Sequence, residues 1–185
     1  VELTKKDGFR NYTILHLLDD SGARASETAE LNLDYFDPKN KTLAILGKGD
    51  RYRQITLEPK TVHLLNLYLA KYRKTPKRTY QHRLFINQRG EGFTRHGINK
   101  ICKKYLNKAL RAKRLKTIHP AHSFRHSCAV RMLSCGKSLS DIKNRLGHDN
   151  IESTMIYLHL DLTELHDRKI ILCNISDIPT WKPRF

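Results

Sequence analysis

The sequence predicts a mainly α-helical domain with a small antiparallel β-sheet, an α+β fold. Three observations carry that prediction. Apolar residues recur at helical spacing over residues 7–20, 59–72 and 94–112. Two short β-type runs, Thr42–Leu46 and Arg53–Leu57, flank Gly47-Lys48-Gly49-Asp50-Arg51, which reads as a hairpin with a basic tip. Proline and glycine punctuate the chain where helices should start and stop, at Pro59, Pro120 and Gly136.

The elements follow in order. Phe9, Tyr12, Ile14, Leu15, Leu17 and Leu18 give the first helix its apolar face, and Ser21-Gly22 interrupts it. A second, short helix should begin near Ala25. Asp37-Pro38-Lys39-Asn40 is a turn, and the hairpin comes next. Pro59 opens a helix that should run through Tyr72, with Leu64, Leu65, Leu67, Tyr68 and Leu69 as its body. Residues 73–82 are polar and basic, a loop. Leu84-Phe85-Ile86 is a short buried run, and Gln88-Arg89-Gly90 turns. In the helix from about Thr94 to Ala112, Ile98, Ile101, Tyr105 and Leu110 lie on one side and many lysines on the other. A helix from Pro120 to about Cys135 follows, and Gly136 can cap it. Ser140 is the expected cap of a helix through Leu146, and a last helix should run from about Ile151 to Leu158. Residues 161–185 form a tail: a helix to about Arg168, an apolar stretch Ile170–Cys173 and a Pro- and Trp-containing end.

Composition narrows the function. Among 185 residues, 35 Lys and Arg stand against 18 Asp and Glu, a net charge of +17. Such an excess predicts a polyanionic partner, nucleic acid first among them. No apolar run approaches the roughly 18 residues of a spanning helix, and no signal peptide opens the chain, so no membrane partner is expected. Cys102, Cys128, Cys135 and Cys173 show no C-x-x-C spacing and read as reduced core thiols. The expected location is the cytoplasm, on the nucleoid. Val1 in place of Met suggests an excised domain or a processed chain.

The chemistry lies in a few spaced residues. A phosphodiester under attack builds charge on its non-bridging oxygens, and guanidinium forks meet that charge best. Arg24 and Arg125 are the candidates. His122 stands three residues before Arg125, on the same helix face, and can take or orient a phenol proton. His148 follows Gly147 at a helix end as a further donor. Tyr157 is the candidate nucleophile; its phenol, with a pKa of about 10, needs such help at neutral pH. Lys48, between two glycines on the hairpin, can protonate the leaving oxygen. No metal is called for, because fixed cations do the electrostatic work. Singly each residue has a plain alternative: a core tyrosine among eight, a surface arginine, a solvated lysine.

Order and spacing give the pieces their force. Ser21-Gly22-Ala23-Arg24-Ala25-Ser26-Glu27 is followed by Gly47-Lys48-Gly49, then His122-Ser123-Phe124-Arg125-His126, then Leu146-Gly147-His148, then Ile156-Tyr157-Leu158-His159. This series resembles the catalytic domain of the tyrosine recombinase (phage integrase) family. There the segments read T/S-G-x-R-x-S-E, G-K-G, H-x-x-R-H, L-G-H and I-Y-x-H. Ala23 departs from the usual larger apolar residue. The resemblance implies the DNA breaking-rejoining fold, with residues 1–160 as catalytic domain and 161–185 as a separate tail. It implies that Tyr157 forms a 3′-phosphotyrosine, with Arg24, Lys48, His122, Arg125 and His148 around the scissile phosphate. No ATP or other cofactor enters. It casts Glu27 and His126 as supporting residues and leaves Glu27 as an ordinary helix-start acid as the alternative. It also implies site-specific recombination, DNA integration or movement of a mobile element, and a homo-oligomer, dimer or tetramer, on DNA. The family's N-terminal DNA-clamping domain has no counterpart in these residues.

Other readings remain to be weighed. His122 and His126 have the i,i+4 spacing of a zinc pair, but Ser123 stands where a zinc hydrolase carries Glu. A type IB topoisomerase shares the tyrosine chemistry but usually has Lys where His122 stands. A non-catalytic DNA-binding module would predict a degenerate site, and every expected position is filled. Arg51 and Arg53 near the hairpin tip are candidates for the minor groove. Lys103, Lys104 and Arg111, within a basic run, are candidates for the phosphate backbone. The tail, anchored by Ile170–Leu172, can dock on its own subunit or on a neighbour.

Overall fold

A computed structural model describes residues 5–47, 49, 51–109, 119–148 and 150–155. Helix α1 (Lys6–Ser21) packs Phe9, Tyr12, Ile14, Leu17 and Leu18 inward. It ends at Gly22, whose left-handed backbone (φ 64°) returns its N–H to the Leu18 carbonyl at 3.0 Å. Glycine is required there twice over, because a Cβ would also meet Leu146 Cδ2 at 2.5 Å. Helix α2 (Ala25–Glu30) starts three residues on.

The sheet has three antiparallel strands in the order β1 (Phe36–Asp37), β2 (Thr42–Leu46), β3 (Tyr52–Thr56). Leu43 pairs with Ile55, and Ile45 with Arg53. Helix α3 (Pro59–Leu67) continues into a wider π turn, Tyr68–Tyr72, rather than staying α to its end. The loop after it is rigidly tied. Arg73 donates to the carbonyls of Gln81, Leu84 and Arg83, and the Leu84 N–H reaches the Leu31 carbonyl at 2.7 Å. Leu84, Phe85 and Ile86 are buried, as their run of apolar residues predicts.

Helix α4 (Arg95–Ala109) lies against α2, and helix α5 (Pro120–Ser134) lies between α1 and α4. Helix α6 (Leu139–Leu146) is capped by Ser138, not by Ser140. The Ser138 Oγ accepts from the Asp141 N–H while the Asp141 carboxylate accepts from the Ser138 N–H. A short helix α7 (Glu152–Met155) follows. Ile14, Leu17, Leu18, Leu43, Ile45, Leu65 and Tyr68 lie at the heart of the main core, whereas Ala129, Val130, Ile142 and Leu146 form a smaller one between α5 and α6.

Polar links, most of them part-buried, fix the α5–α6 layer to α1 and the sheet. Arg145 on α6 donates to Asp20 Oδ1 (2.7 Å), the Asp20 carbonyl (2.8 Å) and the Thr56 carbonyl (3.0 Å). Arg131 on α5 pairs with Asp19. Cys102 and Cys128 are buried thiols, but Cys135, just past the end of α5, is exposed and no core residue. No described helix is long and apolar enough to cross a membrane.

Candidate active site

A cleft of about 840 Å³ opens where the start of α2, the start of α5 and one face of α4 converge. Arg24, His122 and Arg125, distant in sequence, line it together. Across it stand Arg95, Asn99 and Lys103, each four residues from the next on α4, with His96 and Lys100 beside them. Polyanion binding is the chemistry such a lining suits.

Arg125, Arg24 and His148 are each placed by identifiable contacts, whereas His122 is exposed at the cleft. Arg125 is 3% exposed, and its Nη1 donates to the Gly22 carbonyl at 2.8 Å. The turn that ends α1 is therefore also the back support of Arg125. Arg24 is the residue before α2, and its side chain is 44% exposed. Its Nη1 donates to Glu27 Oε1 at 2.7 Å, and its Nη2 to the Gly147 carbonyl at 3.3 Å. Glu27 also accepts the Arg24 N–H at 2.8 Å, so one carboxylate caps α2 and orients the arginine. His148 Nδ1 lies 2.8 Å from Thr154 Oγ1, and Thr154 is fully buried. That contact joins the turn after α6 to α7.

Desolvation and neighbouring cations favour the neutral forms of His122 and His148. Burial lowers the pKa of His122, and the nearby Arg125, His119 and Arg24 lower it further. His148 is pushed down to about 4, first by burial and then by Arg125, Arg24, His122 and Arg53. Glu27 goes the other way. Burial raises its pKa, but hydrogen bonds and charge from Arg53 and Arg24 outweigh that and hold the carboxyl below its ordinary range.

The remaining sequence candidates fall in several places. His126 is partly buried on α5 and does not line the cleft. Arg51 is exposed beside the hairpin. Lys103 lines the cleft; Lys104 does not, and its Nζ stands 5.7 Å from the Tyr105 ring centroid. Lys48, Arg111, Tyr157 and the tail 161–185 lie outside the described residues. A second, 420 Å³ hollow between Gly47, Arg24 and Gly147 shows that the hairpin base adjoins the site.

Arg53 requires a correction. Its side chain is only 13% exposed and does not reach outward for a groove. It alternates with Ile55 on the inward face of β3, where its Nη1 and Nη2 meet Glu27 Oε1 (3.1 Å) and Oε2 (2.7 Å). Sequence reasoning missed Thr154 and the cleft face of α4 before Lys103. The latter was visible as cations and an amide at i,i+4; the Thr154 contact, made across a turn, left no local signal.

Comparison with known proteins agrees with this geometry. The chain belongs to the phage integrase family, whose profile matches residues 1–164. It is 35% identical over 165 residues to tyrosine recombinase XerD of Staphylococcus haemolyticus, covering 89% of this chain and 55% of that protein. A Staphylococcus epidermidis XerD is 33% identical over the same length and share. The chain thus spans about half the length of the curated relatives it matches. Among solved structures, XerH bound to a palindromic difH substrate, a post-cleavage complex, superposes with TM-score 0.75 at 27% identity, over 93% of this chain and 48% of that one. XerA recombinase gives TM-score 0.72 at 25% identity, over 97% and 60%. The mostly helical architecture with its small sheet is the tyrosine recombinase fold.

Proposed function

We propose that this chain is the catalytic part of a site-specific tyrosine recombinase that cuts and rejoins double-stranded DNA through a 3′-phosphotyrosine. One observation carries the reading: Arg24, His122 and Arg125 converge on one cleft faced by a basic helix. In the proposed reaction the Tyr157 phenol oxygen attacks the scissile phosphorus and the bond to the 5′-oxygen breaks. His122, neutral in the free site, takes or orients the phenol proton. Lys48 gives a proton to the departing 5′-oxygen. Arg24 and Arg125 hold the non-bridging oxygens, and their donors are in place before charge develops. Thr154 Oγ1 can donate to Nδ1, the arrangement that would leave the proton of His148 on Nε2 as a further donor. A 5′-hydroxyl from a partner strand then reverses the step. The phosphotyrosine retains the bond energy, so the reading takes no ATP, and cationic side chains serve where other enzymes use a metal.

Double-stranded DNA is the proposed partner, met by Lys103 and its α4 neighbours and by Arg51. A dimer or tetramer on that DNA, assembled through residues 161–185, and a place on the nucleoid complete the proposal. Relatives named as recombinases do not favour the topoisomerase or non-catalytic alternatives.

Covalent trapping tests the reading. The protein is incubated with nicked duplexes in which cleavage sheds a short oligonucleotide. The expected result is an adduct mapped to Tyr157 by mass spectrometry, indifferent to EDTA and absent in Tyr157→Phe. DNA binding by the intact protein without any adduct would refute it.

A further inference from the structure

We infer that Arg53 is a positioning residue for strand cleavage, setting Glu27 against Arg24 and seating the Gly147 turn that precedes His148. The inference rests on the phosphotyrosine reading of the site.

Arg53 touches two segments that bear on the chemistry, the start of α2 and the end of α6. Its fork spans both oxygens of Glu27, the carboxylate that holds Arg24 at 2.7 Å. Its Nε donates to the Arg145 carbonyl at 3.0 Å, two residues before Gly147. The guanidinium also lies directly over Gly147. A Cβ there would stand 2.8 Å from Arg53 Nη1 and 3.1 Å from its Cδ and Cζ, and the backbone is left-handed (φ 65°). The Gly147 carbonyl in turn accepts from Arg24 at 3.3 Å. Arg24, Glu27, Arg53 and the Gly147 turn therefore close a ring of contacts. Arg53 belongs to the same hairpin as Lys48, five residues along, so the ring also ties the hairpin base to the cleft.

An inward slot of a β-strand next to Ile55 ordinarily takes an apolar side chain. Here it holds a cation whose partners are those of the site. Arginine is specified rather than positive charge alone. A lysine is a point charge and cannot hold two carboxylate oxygens and a carbonyl at once in a planar fork. Arg53 acts through Glu27 and Gly147 and does not itself face the cleft lining.

The test uses the intact protein, measuring single-turnover adduct formation and DNA affinity across salt concentrations for Arg53→Lys, Arg24→Lys and the double variant. Misplacement on the order of 1 Å costs about 100-fold in rate, so Arg53→Lys should slow adduct formation by about 10- to 100-fold. Affinity should stay within about twofold with an unchanged salt slope, because no phosphate contact is lost. In the Arg24→Lys background the effect of Arg53→Lys should shrink several-fold, since residues that act as a unit are not additive. A purely structural role predicts additive losses, which would overturn the inference. A weakened salt slope would overturn it in favour of a DNA contact. Should Arg53→Lys not fold, Glu27→Gln must show the same split between slowed cleavage and intact binding, and a wild-type rate there overturns the inference. Wild-type protein that forms no adduct removes the phosphotyrosine reading and this inference together. A wild-type adduct with full rate in folded Arg53→Lys removes this inference alone.

Discussion

Replacing Gly22 by alanine tests how the site is built, because the turn that ends α1 also supports Arg125. Two costs add. An alanine held at φ 64° pays the left-handed penalty of ~1–2 kcal/mol. Its Cβ would also stand 2.5 Å from Leu146 Cδ2 and 3.2 Å from Cys128 Sγ. Both neighbours are fully buried, Leu146 among Ala129, Val130 and Ile142, so neither can step aside freely. Overpacking of this kind costs about 1–3 kcal/mol. The sum is ~2–5 kcal/mol, and at ~2–4 °C per kcal/mol for a chain of this size the melting temperature should fall by roughly 4–20 °C. Gly136→Ala is the internal control: its φ is 74°, but no atom lies within 4 Å of the added Cβ. It should show the conformational cost alone, ~1–2 kcal/mol. Denaturant melts of both variants give the difference directly. Equal losses in the two would refute the packing argument. Folded Gly22→Ala should also lose adduct formation more than DNA affinity, since the Gly22 carbonyl is the acceptor for Arg125 Nη1.

The charges carry three further predictions. The fold favours neutral His122 and His148, whereas unfolded histidines titrate near pH 6.5. That contribution to stability is fully present above about pH 6.5 and lost as pH falls toward the folded pKa of His148, about 4. Denaturant melts should therefore weaken across that window, and less steeply in His148→Gln. A phosphodiester among the guanidiniums offsets their repulsion of the imidazoles. DNA binding should take up protons in the same window, read by calorimetry in buffers of different ionisation enthalpy; binding with no proton uptake refutes it. Lys103→Ala should weaken binding alike on all sequences and lower the salt slope by about one, measured by titration at several salt concentrations; an unchanged slope would place Lys103 off the DNA.

Much of the architecture was legible because it is written in local periodicity. The apolar spacing of α1 and α4, the Gly47–Arg51 turn between two short strands, and Pro120 at the first turn of α5 all lie where the pattern places them. Arg24, His122, Arg125 and His148 stood out because each belongs to a short motif, and the structure shows how distant motifs meet. Arg53 was misread by weighing proximity to a basic hairpin tip over strand parity. Alternation with Ile55 already put it on the inward face. Ser138-Leu139-Ser140-Asp141 contains a capping box, but the first serine, not the second, has an acid three residues later. The two-residue strand β1 is too short to leave any periodicity. Cys135 looked like a core thiol by composition, yet it follows the last turn of α5, where burial ends.

The choice of histidine over lysine near the two arginines follows from the charge balance. Arg24, Arg125 and Arg53 place three permanent cations around the site, and Glu27, 6% exposed, is held as an anion between two of them. A further permanent cation would raise the repulsion that the fold must hold together in the absence of DNA. Imidazoles avoid that cost by giving up their protons, which is what the lowered pKa values of His122 and His148 describe. They remain hydrogen-bonding groups, and the neutral form of His122 is the one that can take the phenol proton in the proposed reaction. Replacing His122 by lysine would therefore add self-repulsion to the free domain, with Arg125 and Arg24 among its opponents.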